Sequence, residues 1–329
     1  MTITTSRIAT LATRYNKLWS DGFISTFDWQ RICENLIPAL DQYCDEHRIP
    51  AQLADTALTV YLPLTIGLFH DDNEHKPQVL GISGGQGSGK STMASFIRFF
   101  AEQIFDLKAV ILSIDDIYLT KDERQKLANT VHPLLATRGV PGTHDIHLGK
   151  QLIESLLTAE DDKTTNIVRF DKLSDDRLPE EHWESFTGRP DFVIFEGWCI
   201  GAEAQPTDQL TFPINTLESE EDKGGTWRHW VNQQLTDTYP ELFDLIDQQI
   251  YIKVPSIDSV YNWRQEQEEG LKKSDKNKVR AKGMTGDELQ RFIMHYQRIT
   301  EYMVGSMTKK ADWYISLDSS HNITKIIAK

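Results

Sequence analysis

The sequence predicts an α/β fold of three layers, with a mainly parallel sheet between two layers of helices, preceded by an α-helical N-terminal extension. Two observations predict it. Residues 8–70 show helical periodicity and no strand signal, whereas later apolar runs suited to strands alternate with helical stretches. This alternation implies right-handed crossovers between parallel strands, which place helices on both faces of the sheet.

The N-terminal extension, residues 1–75, is expected to hold amphipathic helices. Pro38 is awkward within one of them, and Pro63 marks an expected break. Residues 71–77 are polar and end in proline, which predicts a linker to a second domain, residues 76–329. The helices either pack on that domain or mediate association, and packing is the favoured interpretation.

Short apolar runs in the second domain predict the strands of the sheet. They cover residues 79–83, 109–114, 166–170, 192–195, 249–254 and 313–317. Residues 203–226 end in an acidic run and are predicted to form a long surface insertion. The apolar stripe from Leu289 to Met303 predicts a buried helix face, which we interpret as core and not as a cofactor contact.

A phosphate-binding loop is predicted at residues 84–91, which read GGQGSGKS and satisfy the pattern G-x-x-x-x-G-K-[ST]. A predicted strand precedes the loop and a predicted helix follows it, as in a P-loop NTPase. Glycines let successive N–H groups converge on an anion, and the helix N-terminus adds its positive dipole end.

Two side chains of this loop are expected to act on the nucleotide. Lys90 contacts the β- and γ-phosphates in this interpretation, and the Ser91 hydroxyl ligates Mg²⁺. The expected cofactors are therefore ATP and Mg²⁺, although the sequence does not distinguish ATP from GTP. The predicted cofactor-binding residues are Gly84, Gly85, Gln86, Gly87, Ser88, Gly89, Lys90, Ser91 and Thr92.

Acidic residues follow two of the predicted strands, at the sheet edge where ligands bind in open α/β folds. Asp115 is expected to take the proton of an attacking hydroxyl and to lie near the metal, unless Asp115 and Asp116 only cap a turn. Glu196 follows four hydrophobic residues in a Walker-B-like arrangement and is expected to act on Mg²⁺, with a capping role as the alternative.

Three segments together resemble the phosphoribulokinase/uridine kinase/pantothenate kinase superfamily: the P-loop, the LSIDDIY of residues 112–118 and the FEGW of residues 195–198. Further segments resemble the narrower D-glycerate 3-kinase type, and the similarity covers about residues 78–318. These segments are residues 133–145, 170–172, 261–267 and 284–289. The resemblance implies transfer of the ATP γ-phosphoryl group to an acceptor hydroxyl, with D-glycerate as acceptor and 3-phosphoglycerate as product.

The resemblance also implies roles for particular residues. Asp115 is the expected general base, and Arg264 is the best candidate for the arginine of a lid, residues 264–283, that closes over the phosphates. Residues 138–145 form the loop expected over the acceptor, where Arg138 pairs with a substrate carboxylate or is simply a surface arginine. The catalytic residues are thus Lys90, Asp115 and Arg264, and the predicted acceptor-binding residues are Asp116, Tyr118, Arg138, His144 and Lys172.

The composition of the chain limits the classes of partner that we expect. The 329-residue chain has a formal net charge of −14, which argues against a nucleic-acid backbone as the main partner. Its cysteines lie far apart, and no long apolar run or hydrophobic signal core is evident, so we expect a cytoplasmic protein without a membrane partner. The oligomeric state stays open. Two alternatives remain: a kinase for a nucleoside or a pantothenate-like acceptor, and a P-loop ATPase whose protein partner docks on residues 203–226.

Overall fold

The computed structural model describes residues 3–19, 24–70, 78–274, 284 and 286–329. Its α-helices, in chain order, are α1 (Ile3–Leu18), α2 (Thr26–Glu46), α3 (Ala51–Thr56), α4 (Leu62–Phe69), α5 (Lys90–Phe105), α6 (Lys121–Thr130), α7 (Ile146–Leu157), α8 (Thr216–Glu221), α9 (Thr226–Asp237), α10 (Pro240–Phe243), α11 (Ile257–Ser274) and α12 (Gly286–Lys310). The strands are β1 (Val79–Gly84), β2 (Ala109–Ser113), β3 (Thr164–Ile167), β4 (Phe170–Asp171), β5 (Asp176–Arg177), β6 (Glu184–Thr187), β7 (Phe192–Gly197), β8 (Gln248–Lys253), β9 (Trp313–Leu317) and β10 (Ile323–Ala328).

The central sheet has six strands in the order β10-β9-β8-β1-β7-β2. Neighbouring strands pair in parallel, except that β10 runs antiparallel to β9. Two apolar clusters cover the sheet: one joins α1–α5 to one face, and the other includes α7, α9 and α12 on the opposite face. The predicted three-layer α/β/α architecture with preceding helices is therefore confirmed. Since β1, β2 and β7 are adjacent and parallel, their carboxyl ends bring the P-loop, Asp115 and Glu196 to one edge.

Two strand predictions are corrected. The predicted strand 166–170 does not join the central sheet, because β3 pairs with β6 and β4 pairs with β5 in separate two-stranded sheets. Side chains of β3 alternate between exposed and buried, whereas a central parallel strand is buried on both faces. Strand β10 was missed, because its polar and charged residues interrupt the apolar pattern at an exposed edge.

The N-terminal helices contain no break at Pro63. The chain stays helical from Ala51 to Phe69 through a π-helical turn, Ala57–Tyr61, and Pro63 lies in the first turn of α4. Leu62 N–H donates to Ala57 O, five residues back, and this shifted hydrogen bonding accommodates the proline. Helix α2 likewise continues through Pro38. By length and composition Ala51–Phe69 is apolar enough to cross a membrane, but 78% of its apolar window is buried, as in the core helix of a globular protein.

Residues 203–226 are not a loosely attached acidic insertion. Glu218 on α8 is fully buried, and Arg298 of α12 donates to both of its carboxylate oxygens, at 2.7 and 2.5 Å. Asp222 is also buried and pairs with Arg228 at 3.0 Å. A charge run in the sequence predicts a solvated surface, but both acids are paired with buried arginines, Glu218 with the distant Arg298 and Asp222 with Arg228, six residues away. The segment is therefore anchored to α12 and α9.

Candidate functional site

The P-loop connects the end of β1 to the start of α5 at Lys90. Gly87 and Gly89 have φ angles of +77° and +86°, a region that favours glycine. A Cβ atom at Gly87 would lie 3.0 Å from the Cβ of Trp263, so α11 packs closely on the loop. His321, in the β9–β10 turn, donates from Nε2 to Gly87 O at 3.0 Å, and its ring stacks on Trp263 with centroids 4.0 Å apart.

A cavity of about 390 Å³ opens at the carboxyl edge of the sheet. It brings together most of the predicted site residues, from the P-loop, the ends of β2 and β7, the 138–145 loop and α11. The predicted residues that line it are Gln86, Gly87, Gly89, Lys90, Ser91, Thr92, Asp115, Tyr118, Arg138, Lys172, Glu196 and Arg264. Gly84, Gly85 and Ser88 shape the loop without lining the cavity.

Lys90, which is partly exposed, and the buried Glu196 are charged groups of opposite sign on the nucleotide side of this cavity. Lys90 Nζ donates to Gly85 O at 3.1 Å. Burial lowers the pKa of Lys90, although the negative charges of Glu196 and Asp115 oppose that shift. Burial raises the pKa of Glu196, and the Lys90 ammonium opposes it. Each charge therefore stabilises the other in a site poor in water.

The donor set suits Mg²⁺ and phosphate. Ser91 Oγ donates to Glu196 Oε1 at 2.9 Å, which places a hydroxyl and a carboxylate together. Mg²⁺ is commonly bound by one or two carboxylates plus substrate phosphates, so the absence of any cluster of three or more His, Cys, Asp or Glu among the described residues does not conflict with it. Among the described residues, two buried oxygen atoms of the P-loop, Gln86 Oε1 and Ser88 Oγ, have no hydrogen-bond partner.

Asp115 lies in the short 3₁₀ turn Ile114–Ile117 that follows β2. Its Oδ1 accepts from the Tyr118 hydroxyl at 2.8 Å, and its Oδ2 accepts from Lys172 Nζ at 2.6 Å. Burial alone would raise the pKa of Asp115, but the Lys172 charge and both hydrogen bonds outweigh burial and lower it. The carboxylate is therefore ionised and has both oxygens engaged.

Asp116 and His144 were expected to contact the acceptor, but the structure places them behind the cavity wall. Asp116 accepts from Arg169 Nη1 at 3.0 Å and from the Phe170 N–H at 3.2 Å, on the side of the turn away from Asp115. His144 is buried with its ring stacked on Tyr118. Burial lowers the pKa of His144 to about 3, so the imidazole is neutral. Both residues support the turn that carries Asp115 and Tyr118.

The acceptor side of the cavity carries two cations, each with an acidic partner. Lys172 belongs to the hairpin of residues 170–177, which β4 and β5 form, and it pairs with Asp115. Arg138 pairs with Asp175 of the same hairpin, and its guanidinium lies 5.5 Å from the centre of the Phe170 ring. The 170–177 hairpin thus contacts both Asp115 and Arg138.

The expected lid falls only partly within the described residues. Arg264 on α11 lines the cavity, and its Nη1 donates to Gln267 Oε1 at 3.0 Å. Residues 275–283, which include much of the predicted basic stretch, lie outside the described residues, and so does Thr285, the predicted cap of α12.

Several residues that line the cavity escaped sequence reasoning. Phe292 and Tyr296 of α12 lie on its wall, so interpreting that stripe wholly as core was wrong. Helical spacing shows that one face of a helix is turned towards the protein, but not whether that face packs in the core or lines a cavity. Trp198 also lines the cavity, in edge contact with Tyr296, and its position two residues after Glu196 was an available signal. The other unpredicted lining residues are Ser113, Gly197 and Gln267.

Comparisons with known proteins relate the chain to kinases. No protein-family model matches the chain. The chain is 33% identical over 245 residues to a Schizosaccharomyces pombe protein named "Uncharacterized kinase mug58", covering 72% of this chain and 84% of that protein. It is 27% identical over 274 residues to the chloroplastic D-glycerate 3-kinase of Arabidopsis thaliana, covering 79% of this chain and 56% of that protein. The structure of a D-glycerate 3-kinase from Cryptococcus neoformans superposes with a TM-score of 0.65 at 23% identity, covering 85% of this chain and all of that one, which shows a shared fold.

Proposed function

The chain belongs to the D-glycerate 3-kinase-like P-loop kinases of the phosphoribulokinase/uridine kinase/pantothenate kinase superfamily, and we propose that it transfers the γ-phosphoryl group of ATP to D-glycerate, giving 3-phosphoglycerate. The observation that carries the proposal is that one cavity contains the groups a kinase needs. It holds a phosphate-binding loop, the ionised Asp115 and two cations that suit an anionic acceptor. Kinase catalysis consists mainly of positioning and charge stabilisation, which this arrangement supplies.

The P-loop and its neighbours would hold the nucleotide. The main-chain N–H groups of residues 84–91 and the N-terminus of α5 suit the phosphates, and Lys90 adds a positive charge. Ser91 and Glu196 would hold Mg²⁺, which when bound neutralises phosphate charge. Arg264, which lines the cavity from α11, would add a further cation over the phosphates.

Asp115 would act as the general base. The acceptor hydroxyl oxygen attacks the γ-phosphorus, the bond to the β–γ bridging oxygen breaks, and ADP leaves. The hydroxyl proton passes to the Asp115 carboxylate, which Tyr118 holds through Oδ1. Lys90 stabilises the negative charge that develops on the transferred group.

The acceptor's carboxylate would pair with Arg138 and Lys172. Arginine is suited to bidentate recognition of a carboxylate, and both cations line the cavity beside Asp115. Trp198, Phe292 and Tyr296 narrow the remaining space, which suits a small acceptor. We propose a small-molecule acceptor rather than nucleic acid as partner, and a cytoplasmic location, which the three free, buried cysteines support.

A coupled assay of ADP release tests this function. Purified protein with ATP and Mg²⁺ is screened against D-glycerate, pantothenate, uridine and ribulose 5-phosphate, with Lys90→Ala as the inactive control. We expect ADP release that requires D-glycerate and yields 3-phosphoglycerate. Release without any acceptor would support the ATPase alternative, and release with another acceptor would replace D-glycerate.

A further inference from the structure

We propose that Asp175 is a positioning residue, which holds the Arg138 guanidinium at the cavity wall so that it is prepared to receive the carboxylate of the acceptor. The inference rests on the proposed function. Sequence reasoning did not single out Asp175, and Asp175 does not itself line the cavity. Its effect on the reaction is therefore exerted through Arg138.

The backbone conformation of Asp175 favours aspartate or asparagine at this position. Asp175 lies in the tight turn between β4 and β5 and has a φ angle of +58°. Asparagine and aspartate tolerate this left-handed region better than most other residues. The turn therefore restricts which residue can stand here, and the contacts of the carboxylate with Arg124 and Arg138 place it towards α6 and the 138–145 loop.

Arg124 on α6 anchors Asp175 from the protein interior. Its side chain is only 1% exposed, and it donates to Asp175 O at 2.6 Å and to Asp175 Oδ2 at 3.1 Å. The same guanidinium donates to Ala136 O at 2.9 Å and to Leu119 O at 3.2 Å. One buried group thus ties the hairpin turn to the segment just before Arg138.

The second oxygen of this anchored carboxylate, Oδ1, accepts from Arg138 Nη1. The Phe170 ring lies near the same guanidinium, and Tyr296 holds the Arg138 carbonyl with a hydrogen bond of 3.2 Å. Because one carboxylate serves two guanidinium groups, the cluster keeps an excess positive charge that an incoming anion can balance. Asp175 therefore orders Arg138 without cancelling the charge needed for binding.

Asp175→Asn tests the proposal, because asparagine keeps the shape and tolerates the turn but removes the charge. Steady-state kinetics vary D-glycerate at saturating ATP, and then ATP at saturating D-glycerate. We expect the KM for D-glycerate to rise about tenfold, with kcat and the KM for ATP within about twofold of the wild type, since Arg138 serves the acceptor alone.

Two matched variants separate positioning from general damage to the hairpin. Asp171→Asn removes the same charge from the same hairpin. Asp171 caps the Leu173 and Ser174 amides and interacts with Arg138 through charge but without a hydrogen bond, so this variant tests loss of charge without loss of the contact and should leave the acceptor KM near the wild type. In an Arg138→Gln background, Asp175→Asn should have no further effect on that KM. An unchanged KM in Asp175→Asn would overturn the proposal. A lowered KM would overturn it too, because Asp175 would then compete with the acceptor.

The proposal is also tested without substrate. Crystal structures of the wild type and Asp175→Asn should show Arg138 ordered at the cavity wall in the first and displaced in the second; the same position in both would refute positioning. If Asp175→Asn does not fold, Arg124→Lys loosens the anchor while keeping the buried charge, and it should displace Arg138 and raise the acceptor KM. A wild type that does not phosphorylate D-glycerate would refute the proposed function, and the structures would still decide the role of Asp175.

Discussion

At the residue scale, Asp115 shows how the site controls charge. Its two oxygens are held by different groups, a phenol that is buried and an ammonium that is 59% exposed. Tyr118 can stay in place during the reaction, whereas an anionic acceptor can draw Lys172 away from the carboxylate. A base that is engaged until the acceptor arrives would limit attack by water on the nucleotide.

Asp115→Asn should lower kcat by about 10²-fold or more, the usual contribution of general base catalysis, while ATP affinity changes little. Steady-state kinetics and calorimetric titration with ATP measure the two effects. Asp116→Asn is the matched control, because Asp116 is the adjacent carboxylate but binds Arg169 behind the cavity wall. Equal losses of kcat in both variants would contradict the assignment.

The pH dependence of kcat/KM for the acceptor, which reports ionisation before the acceptor binds, should shift when Lys172 is replaced by methionine. The Lys172 ammonium lowers the pKa of Asp115, and the buried carboxylate would otherwise have a raised pKa. Removing the cation therefore raises the pKa of Asp115, so the acidic limb of the kcat/KM profile moves to higher pH. An acidic limb that stays in place, or moves to lower pH, would show that another group limits the rate.

The predicted residues that the structure brings together belong to contiguous patterns. The P-loop and Asp115 follow the strands β1 and β2, and Glu196 lies near the carboxyl end of β7, so the topology of the sheet brings them to one edge. Asp116 was expected at the acceptor as the carboxylate next to Asp115, and His144 as part of the 138–145 loop. In the structure Asp116 pairs with Arg169, and His144 is buried against Tyr118. Asp175 could not be found this way, since its partners Arg124 and Arg138 meet it only in the folded chain.

At the element scale, sequence predicted five of the six central strands and the apolar face of α12, but not the tertiary surroundings of these elements. Periodicity identified the apolar face of α12, yet that face covers core at Ile293 and cavity at Phe292 and Tyr296. The acidic run at α8 was expected in solvent, yet Glu218 is buried against Arg298 of α12. Both errors concern tertiary neighbours, about which a local pattern carries no information.

Glu218→Ala should destabilise the protein by about 3–5 kcal/mol, because it leaves the buried Arg298 without its carboxylate. Chemical denaturation followed by circular dichroism gives the change in the free energy of unfolding. Glu220→Ala on the same helix is the control, since Glu220 is exposed and should change stability by less than about 0.5 kcal/mol. A small loss in Glu218→Ala would mean that α8 is not held by this pair.

At the scale of the whole molecule, the N-terminal helices share a core with the sheet. Tyr61 of the π-helical turn packs on Phe96 of α5, and Phe69 of α4 packs on Phe192 of β7. One continuous apolar cluster contains α1–α5 and the inner strands. The domain boundary near residue 75 stays a prediction. In the structure, α1–α4 belong to the helical layer on one face of the sheet.

This shared core predicts a single cooperative thermal transition. Calorimetry should show one peak whose van't Hoff and calorimetric enthalpies agree, because α1–α4 cannot separate without exposing the apolar face of α5. Tyr61→Ala, which leaves a cavity against Phe96, should lower the midpoint without splitting the peak. Two resolved peaks would show that residues 1–75 unfold independently.

The contact between Gly87 and His321 links the fluorescence of Trp263 to the conformation of the P-loop. The Trp263 indole stacks on the His321 ring, and that ring is hydrogen-bonded to the P-loop backbone. Any rearrangement of the loop around a triphosphate alters the ring next to the indole and hence its emission. Among the eight tryptophans of the chain, this one would give an intrinsic fluorescence signal for nucleotide loading, without an attached dye.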